Sequence, residues 1–455
     1  MSHDLVVKNG TVVTPELGTF RADVGATDGV VSAIAAPGTL AGETEIDADG
    51  KHVLPGAIDP HTHHGLYREF TTDAVAESRS NLVGGVTTVN VMLSYRRGLW
   101  EEFVPTYLEE ARDRYYHDFF ITLDPTSIPD VGPATAQAIE EWGITTFKWF
   151  PVRKAGGGPE DGSIFDGRAD EFVATLAARE EPTQLAFHSE NAEITSYHQE
   201  RVEAAGATGY EALVEGFPGH AEAHSMMTGS ALTRLHDYDG SFYAVHISAK
   251  ETADQLAALQ AAGYGVTGET CPHYLTLTTE ECDDRMKVNP PVRSKADQET
   301  LWARVADGTI SCIGTDHCPN DADQKLGEDI FESLYGFPST SVMLPLVLSE
   351  GVTEGRISLE RAVEVTSTNT AKAWKCYPRK GTIRVGSDAD LIVVDLDETR
   401  TVSTDVLQSG CDYTPYEGKE VTGWPTHTVV RGQVAYADGE VVGERGFGEH
   451  IERPV

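Results

Sequence analysis

Two histidines spaced i and i+2, His61 and His63, close the run Val53-Leu54-Pro55-Gly56-Ala57-Ile58-Asp59-Pro60. The run is apolar and partly β-branched, which reads as a buried strand. Residues two apart on a strand share a face, so both imidazoles aim at one point. An isolated pair of this kind is as readily a surface accident as a metal site. What decides is whether ligating residues recur at equivalent places, and they do, again at the ends of apolar runs. Lys148 sits in Thr146-Phe147-Lys148-Trp149-Phe150, His188 follows Phe187, His246 follows Val245, and Asp316 follows Gly314-Thr315. Singly, each has a plain structural use: a hydrogen-bonded core histidine, a helix N-cap at Asp316, a lysine carrying its ammonium to the surface. Those uses are independent of one another, whereas one metal site accounts for all six residues.

Imidazole and carboxylate without thiolate suit Zn(II), with Mn, Co, Ni or Fe also compatible. Four histidines and an aspartate exceed one tetrahedral site with an open position, which points to two divalent metals about 3.5–4 Å apart. Two cations need a bridging anion, and an ammonium at Lys148 would repel them. Addition of CO2 to the neutral amine makes a carbamate instead. Desolvation and nearby cations both favour the neutral amine that this reaction needs.

The elements that must hold these residues follow from patterning. Residues 4–54 read as all-β, with Asn-Gly and Asp-Gly turns at Asn9-Gly10, Asp28-Gly29 and Asp49-Gly50 marking hairpins. From 53 to about 320, eight short apolar runs end near Asp59, Leu93, Asp124, Phe150, His188, Ile247, Thr270 and Thr315. Helical stretches lie between them, such as 133–142, 169–180, 222–235 and 249–262. Eight strand–helix units predict an α/β fold, a (β/α)8 TIM barrel, whose functional residues sit at the C-terminal ends of the strands. A doubly wound open sheet competes, but no G-x-G-x-x-G follows the first strand. Residues 340–376 read as helical, and β patterning returns at 390–395 and 426–442, with turns at Arg431-Gly432 and Asp438-Gly439. The expected organisation is a β-sandwich domain formed by both chain termini (1–54 and 381–442) beside a barrel over 55–380. The tail 443–455 is expected to be an arm in an oligomer contact.

Composition narrows the partners. The chain has 455 residues, 40% hydrophobic and 24% charged, enough for more than one core. Lys and Arg total 35 against 72 Asp and Glu, a net charge of -37. That argues against nucleic acid or an anionic membrane as partner. The carboxylates are scattered rather than blocked, which reads as a halophilic surface kept hydrated in a high-salt cytoplasm; the rival is an acidic patch that docks a basic partner. Six cysteines, Cys271, Cys282, Cys312, Cys318, Cys376 and Cys411, form no C-x-x-C pair, as expected of reduced thiols in a cytosol. No signal segment follows Met1 and no run of 18 apolar residues exists, so a cytoplasmic protein is expected.

With these residues in view, the chain resembles the cyclic amidohydrolases of the amidohydrolase superfamily: hydantoinase, dihydropyrimidinase, allantoinase and dihydroorotase. Gly56 to His63 matches the family's first-strand motif, and Phe147-Lys148 its carboxylated-lysine segment. Glu269 to Leu275, Asn289-Pro290-Pro291-Val292-Arg293, Tyr377 to Ile383, Gly386 to Asp390, Asp412 to Gly418 and Val421 to Pro425 are further family-like stretches, so the likeness covers nearly the whole chain. The resemblance implies that His61, His63 and Asp316 hold one metal and His188 and His246 the other, bridged by N6-carboxylysine at Lys148 and a hydroxide. The hydroxide would attack the ring carbonyl of a small cyclic amide, and Asp316 would carry its proton to the leaving nitrogen. A homodimer or homotetramer is also implied. All six ligand positions are intact, which speaks against a non-catalytic assembly homologue that has lost its metals.

The pocket departs from each familiar member. Where hydantoinases carry a tyrosine five residues after the bridging lysine, this chain has Arg153; where dihydroorotases carry an arginine two residues after the second histidine, it has Gly65. The Asn-Gly-x-Pro-Gly stretch of hydantoinases is replaced by Tyr335-Gly336-Phe337-Pro338-Ser339. His273 and Asn289-Pro290-Pro291 lean toward allantoinase and dihydroorotase, the C-terminal third toward hydantoinase. Arg153, Asn289 and His317 are the candidate substrate-binding residues, with Arg153 a clamp or oxyanion donor. Their plain alternatives are a solvated loop arginine, a turn before two prolines, and a histidine bonded to nearby backbone. His64, His220 and His224 are expected to stand outside the metal site. An unlisted cyclic or linear amide is a further substrate possibility that Arg153 and Gly65 raise.

Overall fold

In the computed structural model, which describes residues 2–93, 98–125, 128–150 and 166–452, the first 55 residues form five strands. These are β1 (His3–Thr14), β2 (Gly18–Thr27), β3 (Val30–Ala35), β4 (Gly42–Asp47) and β5 (His52–Pro55). Asp28-Gly29 makes the expected hairpin between β2 and β3, with φ of 52° and 78°. The other two turn signals do something else. Asn9 has φ of 61° but sits inside the continuous β1. There the register with β2 shifts between Val7 and Gly10, and the Asn9 N–H donates to Asp23 Oδ1 at 2.8 Å. This is a bulge rather than a hairpin. The reason is packing: a Cβ at Gly10 would lie 2.4 Å from Val53 Cγ2, so the strand must run close against β5. At Asp49-Gly50 the chain does not reverse into a hairpin either, because β4 and β5 both pair with β1, in parallel.

The barrel sheet follows. Its strands are β6 (Ala57–Thr62), β7 (Val86–Leu93), β8 (Asp118–Leu123), β9 (Thr146–Trp149), β10 (Gln184–Phe187), β11 (Ser241–Ala244), β12 (Val266–Thr270) and β13 (Ile310–Ile313). They pair in sequence order, in parallel from β8 to β13. Every residue of β6 to β10 is buried, as continuous apolar runs in a parallel sheet require. The intervening helices start and stop on local signals. Val131–Trp142 has Pro133 in its first turn and ends at Gly143, φ 62°, with the Ile144 N–H returning to Ala138 O. Lys295–Asp307 begins with a Ser294–Asp297 capping box and ends at Gly308, φ 94°.

After the helical stretch from 340 to 373, four strands return: β14 (Leu391–Thr401), β15 (Glu420–Val430), β16 (Gln433–Ala437) and β17 (Glu440–Val441). Hairpins at Arg431-Gly432 and Asp438-Gly439 join the last three, with φ of 41°, 74°, 48° and 92°. β14 pairs antiparallel with β5, so the two chain ends make one nine-stranded sheet, β17-β16-β15-β14-β5-β1-β2-β3 with β4 beside β1. Its core includes Leu5, Val7, Val24, Val53, Leu391 and Val429. The fold is therefore a (β/α)8 barrel plus a terminal β-domain. The chain divides into two compact units. One is Met1–Asn90, Glu110–Phe120 and Ser339–Ile451; the other is Val91–Glu109, Ile121–Pro338 and Glu452–Val455.

Within the first unit, one residue passes the chain from β5 to β6. The Gly56 N–H donates to Asp390 O and its carbonyl accepts from Ser367 Oγ, while the Ala57 N–H donates to Gly85 O. A Cβ at Gly56 would lie 2.0 Å from Thr87 Oγ1, so only glycine fits this crossing. The tail, expected to be a subunit arm, runs along its own chain: the Gly446 and Gly448 N–H groups donate to Tyr115 O, and Phe119 exchanges backbone bonds with Glu449 and Ile451. A Cβ at Gly448 would meet His117 O at 2.0 Å, so the glycines of the tail are what allow this approach. Among the described residues, no helix is long and apolar enough to cross a membrane.

Candidate metal centre

His61 lies inside β6 and His63 one residue beyond it, with ring centroids 5.2 Å apart and planes at 61°. The strand end is pinned from below. Asp59 Oδ1 accepts the His61 N–H at 3.1 Å, and Asp59 Oδ2 accepts from Thr340 Oγ1 at 2.8 Å. Thr62 Oγ1 donates to Asn90 O, and Asn90 Nδ2 donates to Pro60 O. The aspartate of the first-strand motif thus sets the backbone from which both histidines project. His64, expected to stand apart, directs Nδ1 to the Tyr115 hydroxyl at 2.7 Å.

The second unit carries Lys148, His188, His246 and Asp316. His188 follows β10 and His246 lies two residues past β11; the two rings meet with His188 Nδ1 2.7 Å from His246 Nε2. Both are buried, 1% and 2% exposed. The Phe150 ring packs 4.2 Å from the His188 ring. Burial pushes the His188 imidazole below its ordinary pKa, against the pull of Glu190. Lys148 lies within β9, its Nζ 5.5 Å from the centre of the Phe150 ring. Burial lowers its pKa, and the attraction of Asp316, Glu269 and Asp124 does not restore it.

Two candidate ligand residues sit on strained backbone, which the sequence does not announce. His246 has φ of 40° and Asp316 φ of 51°, a conformation that costs a non-glycine residue about 1–3 kcal/mol and must be held by its surroundings. At His246 the hold is visible: its N–H donates to Glu269 Oε1 at 3.1 Å, and Glu269 Oε2 accepts from Tyr243 Oη at 2.8 Å. Just beyond, Ser248 is bound into a buried ion pair, with Arg293 Nη2 2.6 Å from Glu222 Oε1 and Arg293 Nε 2.8 Å from Ser248 Oγ. That network gives the Asn289 to Arg293 stretch a structural reason.

Of the expected substrate-binding residues, His317 is buried and its N–H donates to Thr315 Oγ1. Asn289 Nδ2 donates to Glu190 Oε2 at 2.9 Å, and Glu190 Oε2 also meets His188 Nε2 at 3.1 Å. Arg153 falls outside the described residues. His224 bonds Asn191 through Nδ1, at 3.2 Å. Sequence reasoning gave no role to Glu190 and Glu269; the signals were a glutamate two residues after a candidate ligand and, for Glu269, its place at the head of a family-like stretch.

The donor set fits metal. The first unit offers two imidazoles side by side at His61 and His63, and the second offers the Asp316 carboxylate with His188 and His246; imidazole and carboxylate are ligand types of zinc sites. His188 Nδ1 and His246 Nε2 already converge; two ligands about 2.1 Å from a tetrahedral ion stand about 3.3 Å apart, so a small opening of the 2.7 Å pair suffices. The other acidic cluster, Asp118, Asp388 and Asp390, is filled by the chain's own cation: Lys380 Nζ lies 2.5, 3.0 and 2.6 Å from them.

Comparison with known proteins agrees. Residues 52–435 match the model of the amidohydrolase family. The chain is 31% identical to a D-hydantoinase of Geobacillus stearothermophilus, over 98% of this chain and 96% of that protein. It is 32% identical to an L-hydantoinase of Paenarthrobacter aurescens, over 99% and 98%. The solved structure of a D-hydantoinase from a Bacillus sp. AR9 superposes with a TM-score of 0.91 at 32% identity, covering 99% of each chain. Family and donor set together support a binuclear metal site, and the chain belongs to the amidohydrolase family, among its cyclic amidohydrolases.

Proposed function

We propose that the protein is a metal-dependent hydrolase that opens the ring amide of a small cyclic amide, with hydantoins and dihydropyrimidines as the first substrate class. The observation that carries this reading is the buried His188–His246 pair, 2.7 Å apart, on a chain that matches hydantoinases from end to end. His61, His63 and Asp316 would hold one metal ion, zinc in this reading, and His188 and His246 the other. Burial disfavours the ammonium form of Lys148, and its amine would add to CO2: the N–C bond forms as one C=O π bond opens onto oxygen, the nitrogen releases a proton to solvent, and the resulting N6-carboxylysine would supply an anionic ligand. The metals, when bound, polarise the ring carbonyl and make water nucleophilic at neutral pH.

Asp316 accepts the proton of the attacking water and returns it to the leaving ring nitrogen. Asn289 Oδ1 is buried and has no hydrogen-bond partner among the described residues, an acceptor suited to a substrate N–H. His317 lines the pocket, and Arg153 serves as clamp or oxyanion donor. The net charge of -37 supports a halophilic, cytoplasmic enzyme, and likeness to its relatives supports a homodimer or homotetramer. The domain limits are those read from patterning: a β-sandwich from 1–54 and 381–442, a catalytic barrel over 55–380, and a tail from 443.

Allantoinase or dihydroorotase activity is the second reading, favoured by His273 and Asn289-Pro290-Pro291; Gly65, where dihydroorotases carry arginine, weighs against the latter. The test is ring opening of hydantoin, dihydrouracil, allantoin and dihydroorotate, assayed in molar salt. Turnover of hydantoin or dihydrouracil supports the first reading; turnover of dihydroorotate or allantoin alone replaces it with the second.

A further inference from the structure

Glu190 is a buried carboxylate, 1% exposed, that no step above uses. A polar group in that position is tolerated when partners meet it, and among the described residues two side chains do. His188 Nε2 lies 3.1 Å from Glu190 Oε2, and Asn289 Nδ2 donates to the same oxygen at 2.9 Å from 99 residues along the chain. Glu190 Oε2 already accepts the Asn289 amide hydrogen, and an accepting oxygen calls for a donor on the ring nitrogen that faces it, so His188 carries its proton on Nε2. A neutral imidazole has one lone pair, and it is thereby assigned to Nδ1, the nitrogen that faces His246 Nε2 at 2.7 Å.

We infer that Glu190 is a positioning residue: it fixes the tautomer and ring orientation of His188 so that Nδ1 is the metal-binding atom, and Asn289 fixes Glu190 in turn. The inference rests on the metal-centre reading above. The segment is built for rigidity. The Glu190 N–H returns to His188 O at 3.0 Å, and Asn191 caps the helix Ala192–Ala204 by accepting from the N–H groups of Glu193 and Ile194. Phe150 also packs against the His188 ring, its centroid 4.2 Å away. A hydrogen-bonded carboxylate on the remote nitrogen also makes an imidazole a stronger ligand, and loss of such a partner weakens metal binding by about 10–100-fold. Asn289 then acts through two atoms: Nδ2 holds Glu190, and Oδ1 remains as an acceptor.

The experiment is zinc affinity by chelator competition on folded protein, with kcat and KM alongside. Wild type is expected to bind two zinc ions per chain. Glu190→Ala should lose about 10–100-fold in affinity for one of them. Glu190→Gln, which keeps an acceptor without the charge, should fall between the two, and Asn289→Ala should lose less than Glu190→Ala. In Glu190→Ala kcat falls more than KM rises. A folded Glu190→Ala protein that holds both zinc ions with wild-type affinity overturns the proposal and leaves the metal centre standing. Wild-type protein that takes up no zinc sinks both. If Glu190→Ala does not fold, Glu190→Gln carries the test, and wild-type zinc affinity in that variant overturns the proposal.

Discussion

Lys148 on β9 and Lys380 in the segment before β14 are buried to nearly the same degree, 4% and 1% exposed, yet their surroundings push them in opposite directions. Around Lys380, burial alone would lower the pKa, but Asp118, Asp390 and Asp388 lie within 3.0 Å and hold the ammonium far above its ordinary value. Around Lys148, burial wins over the carboxylates that act on it, and the pKa falls. The first lysine is locked as a cation and ties the terminal strands together. The second is shifted toward the amine, the form that the proposed carboxylation needs. Burial is common to both, and carboxylates act on each; at Lys380 they outweigh burial and at Lys148 burial outweighs them.

The sharpest way to break this contrast is to remove each lysine. Lys148→Ala should abolish ring opening, by roughly three orders of magnitude or more, and lose bound metal. It should leave the thermal midpoint near that of wild type, with a short-chain carboxylic acid restoring part of the activity. Activity assays with elemental analysis check this, and a fully active Lys148→Ala protein would reduce Lys148 to filler. Lys380→Met should do the reverse. It strands buried carboxylates and should cost about 3–5 kcal/mol, read as a lower urea midpoint, while the molecules that remain folded keep their turnover. Pairing it with Asp118→Asn should recover part of the loss.

The pH dependence of the same knot is a smaller effect. Burial opposes the ionised form of Asp118, but Lys380 and Arg431 outweigh it and hold its carboxyl below the ordinary 3.8. Its stabilisation is therefore full above about pH 4 and is lost as pH falls through the folded-state value. The Lys380 contribution, from a raised pKa, is full below 10.5 and is lost only as pH rises beyond that. Burial raises the Asp390 carboxyl above 3.8, so the melting curves of wild type and Lys380→Met should draw together as falling pH protonates first Asp390 and then Asp118. The smallest effect is expected at the rim. Arg379 Nε lies 2.9 Å from Asp388 Oδ2, but its side chain is 44% exposed, so Arg379→Ala should cost under about 1 kcal/mol.

Much of this arrangement was legible in the chain. All eight barrel strands followed from apolar runs, because strands buried on both faces leave little room for polar residues. The candidate ligand residues stood out because imidazoles recurring at strand ends have no shared structural use. What was not legible depends on long-range geometry. Asn9-Gly10 and Asp28-Gly29 carry the same turn signal, but only the second reverses the chain; the sequence reports a positive φ, and packing against Val53 decides the rest. Glu190 is one of 72 acidic residues, and its partner Asn289 is distant in sequence. The strained backbone at His246 and Asp316 leaves no compositional trace, since neither is glycine.

The central claim is that two divalent metals, with Lys148 among their ligands, drive the opening of a cyclic amide. Metal content measured on purified, salt-stabilised protein, in the same sample whose hydantoin and dihydrouracil turnover is assayed, tests it most directly. The account predicts about two divalent ions per chain, turnover that disappears when they are chelated, and its return when zinc is restored. A folded protein with Lys148 intact that holds no metal, or that turns over equally well after chelation, would contradict it.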